Sequence, residues 1–112
     1  MSQLAIDFTA ARAMGTAAGE RCADKAELVV DGFRERAAAF VLAYLAQHGI
    51  SSGELINDAA ALAGIRPPDA RAFGPVYAKL LRDEKIRRVG ECARRRGHGT
   101  RGGSIYARGE RP

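Results

Sequence analysis

The last quarter of the chain constrains the fold most, because residues 86–108 have the pattern of two strands joined by a loop of arginine and glycine. The segment Ile86 to Ala93 loses the helical period that precedes it and has mixed polar and apolar faces. The segment Ser104 to Arg108 has the β-branched and aromatic content typical of a strand. The stretch between them, Arg94 to Gly103, is the arginine-glycine loop. We therefore predict a β-hairpin with a long tip.

Positive charge is concentrated in this part of the chain. From Lys85 onward there are nine lysine or arginine residues against two acidic residues, whereas Met1 to Glu84 has nine against eleven. A concentrated cationic surface attracts a phosphate backbone, because binding neutralises charge and releases condensed counterions. The charge distribution therefore favours a nucleic-acid partner.

Three helix patterns precede the hairpin. The first runs from about residue 31 or 32 to residue 48 and is closed by Gly49 as a left-handed cap. The second covers about residues 52–63 and begins at a capping box formed by residues 51–54. The third is predicted to start at an Asp69 cap. The fold class is therefore mainly α with a small β-hairpin (α+β).

Pro75 lies within the third helix pattern and removes one helical hydrogen bond, so we expect a bend or a division of the helix near Gly74. The other residues of this helix have a clear apolar stripe. Together, the stripes of the three helices predict one shared core, formed by Phe40, Tyr44, Leu55, Leu62, Phe73, Val76, Tyr77 and Leu80.

Residues 1–30 are rich in alanine and glycine and are predicted to form a partly helical N-terminal arm. Gly15 and Gly19 each weaken a helix by about 1 kcal/mol relative to alanine, so a helix there needs a partner surface. Two interpretations stay open, an arm laid over the domain and a helix through which two copies form a homodimer. The length of 112 residues allows one domain at most. We place that domain at residues 31–108, followed by a frayed tail at residues 109–112.

The order of helix, short helix, turn, third helix and β-hairpin over Phe33 to Arg108 resembles the winged helix-turn-helix superfamily. More locally, the chain is similar to small winged-helix proteins carried in phage and prophage genomes. The residues that carry this similarity are Arg71-Ala72-Phe73-Gly74-Pro75-Val76-Tyr77, Leu80-Leu81 and Lys85-Ile86. The resemblance implies a winged helix-turn-helix with an N-terminal helical arm, in a phage or prophage setting. The long arm and Pro75 depart from a standard winged helix.

In such a fold the third helix is the recognition helix, whose exposed side enters the major groove of duplex DNA. We predict that Arg71 and Lys79 face that groove and that Arg82 lies near the backbone. Arg66, beside the Pro-Pro turn, is predicted to contact a phosphate. The alternative is a solvated helix face, which is the usual location of such charge.

The arginine-glycine loop is the wing of such a fold, and its glycines let a backbone approach a phosphate without Cβ clashes. An arginine at the tip can enter a narrow minor groove, and histidine and threonine can hydrogen-bond to the nucleic acid. The predicted contacts of this loop are Arg94, Arg95, Arg96, His98, Thr100 and Arg101. A disordered solubilising loop and an RNA-binding segment are the alternatives.

No catalytic, cofactor or metal site is predicted, because no nucleophile–base pair or ligand set is visible. The run Gly97 to Gly102 matches G-x-G-x-x-G but precedes a strand, whereas the dinucleotide fingerprint opens a helix. Cys22 and Cys92 lack metal-ligand spacing and are predicted to be free thiols. A mixed charge run is predicted to be a solvated helix face and not a metal cluster: Asp24, Lys25, Glu27, Asp31, Arg34 and Glu35.

No stretch approaches the roughly 18 apolar residues that a membrane-spanning helix needs, and residues 1–18 lack the pattern of a signal peptide. A cytoplasmic protein without a membrane partner is therefore predicted. The leading hypothesis is a non-enzymatic protein that binds double-stranded DNA, as a phage or prophage regulator or replication accessory. The rival is a protein-interaction module, such as a phage inhibitor that docks on a host nucleic-acid-bound complex.

Overall fold

The computed structural model describes residues 3–92 and 103–109, with side chains from residue 16 onward. These residues are mostly helical and include a small antiparallel sheet. The helices are α1 (Gln3–Val29), α2 (Phe33–His48), α3 (Gly53–Leu62) and α4 (Phe73–Arg82), with a 3-10 turn at Ala70–Ala72 before α4. The strands are β1 (Ser51–Ser52), β2 (Ile86–Cys92) and β3 (Gly103–Arg108). The predicted α+β class is confirmed.

A tight turn joins α1 to α2. Gly32 adopts a left-handed conformation with φ 66°, which glycine reaches without steric cost. The Glu27 carboxylate of α1 accepts hydrogen bonds from the backbone N–H groups of Phe33 (3.1 Å) and Arg34 (2.9 Å). These are N–H groups that the first turn of a helix leaves without internal partners. The end of α1 therefore caps the start of α2.

The predicted start of α3 was wrong by one residue. Ser52 is the cap, and its hydroxyl accepts from the backbone N–H of Leu55 at 3.2 Å. Ser51 is buried, and its hydroxyl donates to the carbonyl of Gly49 at 3.2 Å. Gly49 closes α2 with a positive φ of 77°, as predicted, but its ψ of −149° lies outside the left-handed helical region. Ser51 does not cap α3, because its hydroxyl is bonded to Gly49 instead.

The third helix pattern divides into the 3-10 turn and α4. Asp69 caps this segment as predicted, since its side chain accepts from the backbone N–H of Arg71 at 2.9 Å. Pro75 lies in the first turn of α4. Backbone N–H groups there have no partner within the helix, so the proline removes no hydrogen bond. The expected irregularity occurs slightly earlier, where 3-10 geometry changes to α geometry between Ala72 and Phe73.

The predicted hairpin is confirmed in its two strands. β2 and β3 pair from Ile86 opposite Arg108 to Cys92 opposite Gly103, with a bulge between Arg88 and Gly90. The sheet has a third member that the sequence analysis missed, because β1 pairs with β3 on its other side. The sheet order is therefore β1-β3-β2, and it joins the end of α2 to the hairpin.

The core includes the predicted α4 stripe of Phe73, Val76, Tyr77 and Leu80. Phe40 and Tyr44 are half-buried and pack against that core. Two predicted core residues were wrong, since Leu55 is 42% exposed and Leu62 is 92% exposed. The buried residues from the other elements are Ala23, Ala26, Val30, Phe33, Ala37, Val41, Leu45, Ile56, Ala60, Ile65, Ala72, Ile86 and Ala107.

The error on α3 has a simple geometric origin. Ile56 and Ala60 face the core, whereas Leu55 and Leu62 lie on a neighbouring face of the same helix. Successive residues on an α-helix are rotated by about 100°. A predicted stripe that is centred one residue away from the packed face therefore turns Leu55 and Leu62 towards solvent.

Candidate nucleic-acid interface

A groove of about 1200 Å³ lies along the exposed side of α4. Gly74, Ala78 and Arg82 of α4 line it at intervals of four residues, so they share one face of the helix. The other lining residues come from α1, α3, β3, the 3-10 turn with Asp69 before it, and the rest of α4. We call this the α4 groove. It is the place where a nucleic acid would lie if α4 were a recognition helix.

On one side of the groove, α1 packs tightly on the start of α4. Gly19 is buried, and a Cβ atom there would lie 3.3 Å from Cδ of Pro75 and 3.4 Å from the carbonyl oxygen of Arg71. Those distances leave little room for any side chain. The absence of a side chain at Gly19 thus permits this close approach of the two helices.

On the other side, an aromatic pair joins the hairpin to α4. The rings of Tyr77 and Tyr106 stack with centroids 4.7 Å apart and planes 13° apart. The Tyr77 hydroxyl donates to Oδ1 of Asn57 on α3 at 2.7 Å and lies 3.3 Å from the carbonyl of Gly53. Burial raises the pKa of Tyr77, so the hydroxyl stays neutral and remains a donor. This cluster fixes α3, α4 and β3 relative to one another.

Arg71, one of the predicted base-contacting residues, is held by its neighbour Asp69. Its Nη2 lies 2.8 Å from Oδ2 of Asp69, and its Nε lies 3.2 Å from both carboxylate oxygens. The hydrogen bonds from the side chain and the backbone N–H of Arg71 lower the pKa of Asp69 to about 2. The aspartate is therefore ionised at neutral pH, and two donor groups of Arg71 are already engaged.

The other three predicted helix-side contacts are exposed. Arg82 lines the α4 groove, whereas Lys79 and Arg66 lie outside its lining. No hydrogen bond or ion pair joins any of their side chains to another described residue. The structure therefore leaves these three cations free of carboxylates in the described part of the chain, but it brings only Arg82 into the groove.

The predicted contacts of the arginine-glycine loop lie outside the described residues: Arg94, Arg95, Arg96, His98, Thr100 and Arg101. The strands that flank them are described. Cys92 pairs with Gly103, so the chain leaves and returns at neighbouring positions. Gly103 and Ser104 also line the α4 groove. Gly103, the residue with which the loop ends, therefore lies at the edge of this groove.

The hairpin carries further cations that the sequence analysis did not select. Arg87, Arg88 and Arg108 are exposed on β2 and β3. Arg88 pairs with Glu91, and its Nε donates to the Ser104 hydroxyl at 3.1 Å. The signal for these residues was present in the sequence, since charged residues within a predicted two-stranded hairpin extend the positive surface of its loop.

Acidic residues also line the α4 groove, and sequence reasoning missed them. They are Glu20 of α1, Glu54 and Asp58 of α3, and Asp69 before the 3-10 turn. Only the tertiary fold brings these carboxylates together, because they come from three separate parts of the chain. Four carboxylates therefore line the helical walls against two arginines, Arg71 and Arg82, so these walls are acidic on balance. The hairpin residues in the lining, Gly103, Ser104 and Tyr106, are uncharged.

The charge run on α1 and α2 is more than a solvated face. Nη2 of Arg34 lies 2.9 Å from Asp24 and 3.1 Å from Glu20, and Nη1 lies 3.7 Å from Glu27. The hydrogen bond with Asp24 is the largest cause of the raised pKa of Arg34. These acids therefore join α1 to α2. In the described part of the chain, no group of three or more histidine, cysteine or acidic residues is arranged to hold a metal ion.

Both cysteines, Cys22 and Cys92, are free thiols, as predicted. Among the described residues, no helix combines the length and the apolar character that crossing a membrane requires. Comparison with protein-family models, curated proteins and solved structures gave no match to the chain.

Proposed function

We propose that this chain is a winged-helix protein that binds double-stranded DNA and catalyses no reaction. The element order α2, β1, α3, α4, β2, β3, with β1 and β2 on either side of β3, supports the winged-helix assignment. The helix-turn-helix part would then be α3 and α4, and the arginine-glycine loop would be the wing.

One observation carries the proposal. Cys92 pairs with Gly103, and Gly103 and Ser104 line the α4 groove, so the ends of the two strands that flank the arginine-glycine loop lie at one edge of that groove. We infer that the four arginines of the loop act at that edge, and Arg87 and Arg108 are exposed cations on the flanking strands. Arginine forks suit phosphate oxygens, and the release of counterions would drive association.

The biological setting is a further part of the proposal. The similarity of residues 71–86 to small phage and prophage winged-helix proteins favours a regulator or a replication accessory. Such roles need a protein that binds duplex DNA in the absence of other proteins.

The test is a fluorescence anisotropy titration of a random-sequence duplex with the purified chain, repeated at several salt concentrations. We expect binding by the parent. The triple variant Arg94→Ala/Arg95→Ala/Arg96→Ala should lose about tenfold or more in affinity. If all three arginines contact phosphates, the slope of log affinity against log salt should shrink by nearly three.

A matched control removes three exposed cations that do not line the groove, Arg21, Lys25 and Arg36. Its affinity should fall far less, although its net charge equals that of the triple variant. Equal losses from the two variants would show a general effect of charge and would contradict the proposed interface.

A second candidate function is favoured by the acidic helical walls of the α4 groove. Four carboxylates outnumber two arginines in the groove lining, and this balance suits a protein partner with a basic segment better than a phosphate backbone. The same titration separates the two candidates, because a protein-interaction module has no need to bind naked duplex DNA. A folded parent that binds no duplex would favour the protein partner.

A further inference from the structure

The exposed face of α4 has few side chains that can hydrogen-bond to a base. Three exposed residues of α4 line the groove, and two of them, Gly74 and Ala78, have no hydrogen-bonding atom in the side chain. Direct readout in the major groove depends on side chains such as Arg, Lys, Asn or Gln at those positions. Arg82 is the exception, and it is the last residue of the helix. Recognition helices contact bases mainly with their N-terminal residues.

Arg71 is the described cation next to that N-terminal end, and it is already engaged. Its Nε and Nη2 bond the Asp69 carboxylate, with the shortest distance 2.8 Å. A bidentate contact with guanine needs two donors of the same guanidinium group. Three N–H groups at the Nη1 and Nη2 end of Arg71 stay outside these bonds. The adjacent Asp69 carboxylate offsets the charge of the guanidinium, which weakens its attraction to the acceptor atoms of guanine.

The position of α1 also limits access. The close contact between Gly19 and Pro75 places α1 beside the first turn of α4. Packed helices have axes about 8–10 Å apart, and each is about 10–12 Å wide with its side chains. The major groove of B-DNA is about 12 Å wide, so it admits one helix and not two side by side.

The charges around α4 also disfavour its insertion into the major groove. Insertion of α4 would bring the phosphates of the DNA towards a groove lining in which four carboxylates outnumber two arginines, Arg71 and Arg82. Like charges raise the free energy of such a complex. The exposed cations Lys79 and Arg82 lie at the opposite end of α4, nearer to the hairpin in the chain.

We infer that α4 reads no base sequence, and that the chain holds duplex DNA by its sugar-phosphate backbone through four exposed cations: Lys79 and Arg82 of α4 and Arg87 and Arg108 of the hairpin strands. This inference rests on the proposed function and specifies its selectivity. Duplexes of equal length and equal A·T content would bind equally well whatever their base order. Any selectivity would then follow the shape of the duplex, such as the width of its minor groove.

The first experiment measures the affinity of the full chain for several duplexes of one length and one base composition with scrambled order, and enriches binders from a randomised duplex pool. We expect dissociation constants within about threefold of one another and no enriched motif. A protein that reads bases loses about 1–3 kcal/mol for each wrong base pair, which is about tenfold or more. A motif bound at least tenfold more tightly than its scrambled version would overturn the inference.

The second experiment compares single variants on the same duplexes. Lys79→Ala and Arg82→Ala should each weaken every duplex by a similar factor, about two- to fivefold, and reduce the salt slope by about one. Arg36→Ala removes an exposed cation from α2 and serves as the control, with no expected change. A variant that changes the ranking of the duplexes would contradict the inference.

Failure of this inference and failure of the proposed function give different experimental results. A parent that binds every duplex but ranks them by base order overturns the backbone mode and leaves DNA binding intact. A folded parent that binds no duplex overturns the proposed function, and the inference falls with it.

Discussion

The α1–α2 region and the β2–β3 hairpin differ in whether their arginines are paired with carboxylates. Near the α1–α2 turn, Arg34 has three carboxylate partners from α1. On the hairpin, Arg87 and Arg108 are exposed and have no carboxylate partner among the described residues. The helices also supply most of the buried apolar side chains. Stability is therefore concentrated in the helices, whereas the hairpin strands carry cations without carboxylate partners among the described residues, as Lys79 and Arg82 at the end of α4 also do.

We therefore expect the free energy of unfolding and the affinity for DNA to respond to different substitutions. Substitutions among the packed helices should change the free energy of unfolding and leave DNA affinity unchanged while the chain is folded. Charge substitutions on the hairpin should do the reverse. Substitutions in the core, at the hairpin–helix contact and at Asp69 locate the boundary between the two regions.

The largest effect is expected from Phe33→Ala. Phe33 is fully buried, and its ring meets that of Phe73 edge-on with centroids 5.4 Å apart. Loss of the ring leaves a cavity between α2 and α4, so unfolding should become easier by about 3–5 kcal/mol. Urea denaturation measures this difference. Leu62→Ala is the control, because Leu62 is 92% exposed and its loss should change stability by less than about 0.5 kcal/mol. Equal effects would place the core on the wrong face of α3.

A smaller effect is expected from Tyr106→Ala, which tests the link between the regions. The substitution removes the ring that stacks on Tyr77 and joins β3 to α4. We expect a loss of about 1–2 kcal/mol from the lost stacking and burial. Tyr106→Phe keeps the ring and should stay close to the parent. If Tyr106→Ala left stability unchanged, the hairpin would be independent of the helices.

The parts of the fold that the sequence predicted are those with a single apolar stripe. In α4, Val76 and Leu80 repeat at four-residue spacing, and Lys79 and Arg82 lie outside the stripe. Only one rotation of that helix buries the apolar residues, so the buried face was predicted correctly. The two strands of the hairpin were predicted because the helical period ends at Lys85 and a β-branched, aromatic segment follows the glycines.

The features that were missed depend on partners distant in the chain. α3 has apolar residues on two adjacent faces, and its packing against α2 selects Ile56 over Leu55. β1 consists of two serines that have no strand signal of their own, and it exists because β3 lies beside it. The carboxylates of the α4 groove likewise come together only in the tertiary structure, since Glu20 and Asp69 belong to separate parts of the chain. The roles of the predicted site residues remain predictions.

The smallest effect concerns Asp69, at the border of the two regions. Hydrogen bonds from Arg71 hold the pKa of Asp69 at about 2, below its ordinary value of 3.8. A carboxylate with a lowered folded-state pKa stabilises the fold above the unfolded-state pKa, and this contribution is lost as the pH falls through the folded-state pKa. The stabilisation should therefore be constant above about pH 5 and decline between about pH 4 and pH 2. It should be small, because both side chains are solvent-exposed, at 40% for Asp69 and 67% for Arg71.

Asp69→Asn isolates this charge, because an asparagine side chain still accepts the backbone N–H that begins the 3-10 turn. Urea denaturation of parent and variant from pH 6 to pH 2 should show a parent that is slightly more stable at pH 6 and a gap that closes at pH 2. Added salt should narrow the gap at pH 6, since the pair is exposed to solvent. A gap of the same size at both pH values would mean that the carboxylate charge contributes nothing. The variant also frees Arg71 and removes one acid from the α4 groove, so its affinity for duplex DNA should rise if the groove walls repel phosphates. An unchanged affinity would place the DNA entirely on the hairpin side of the boundary.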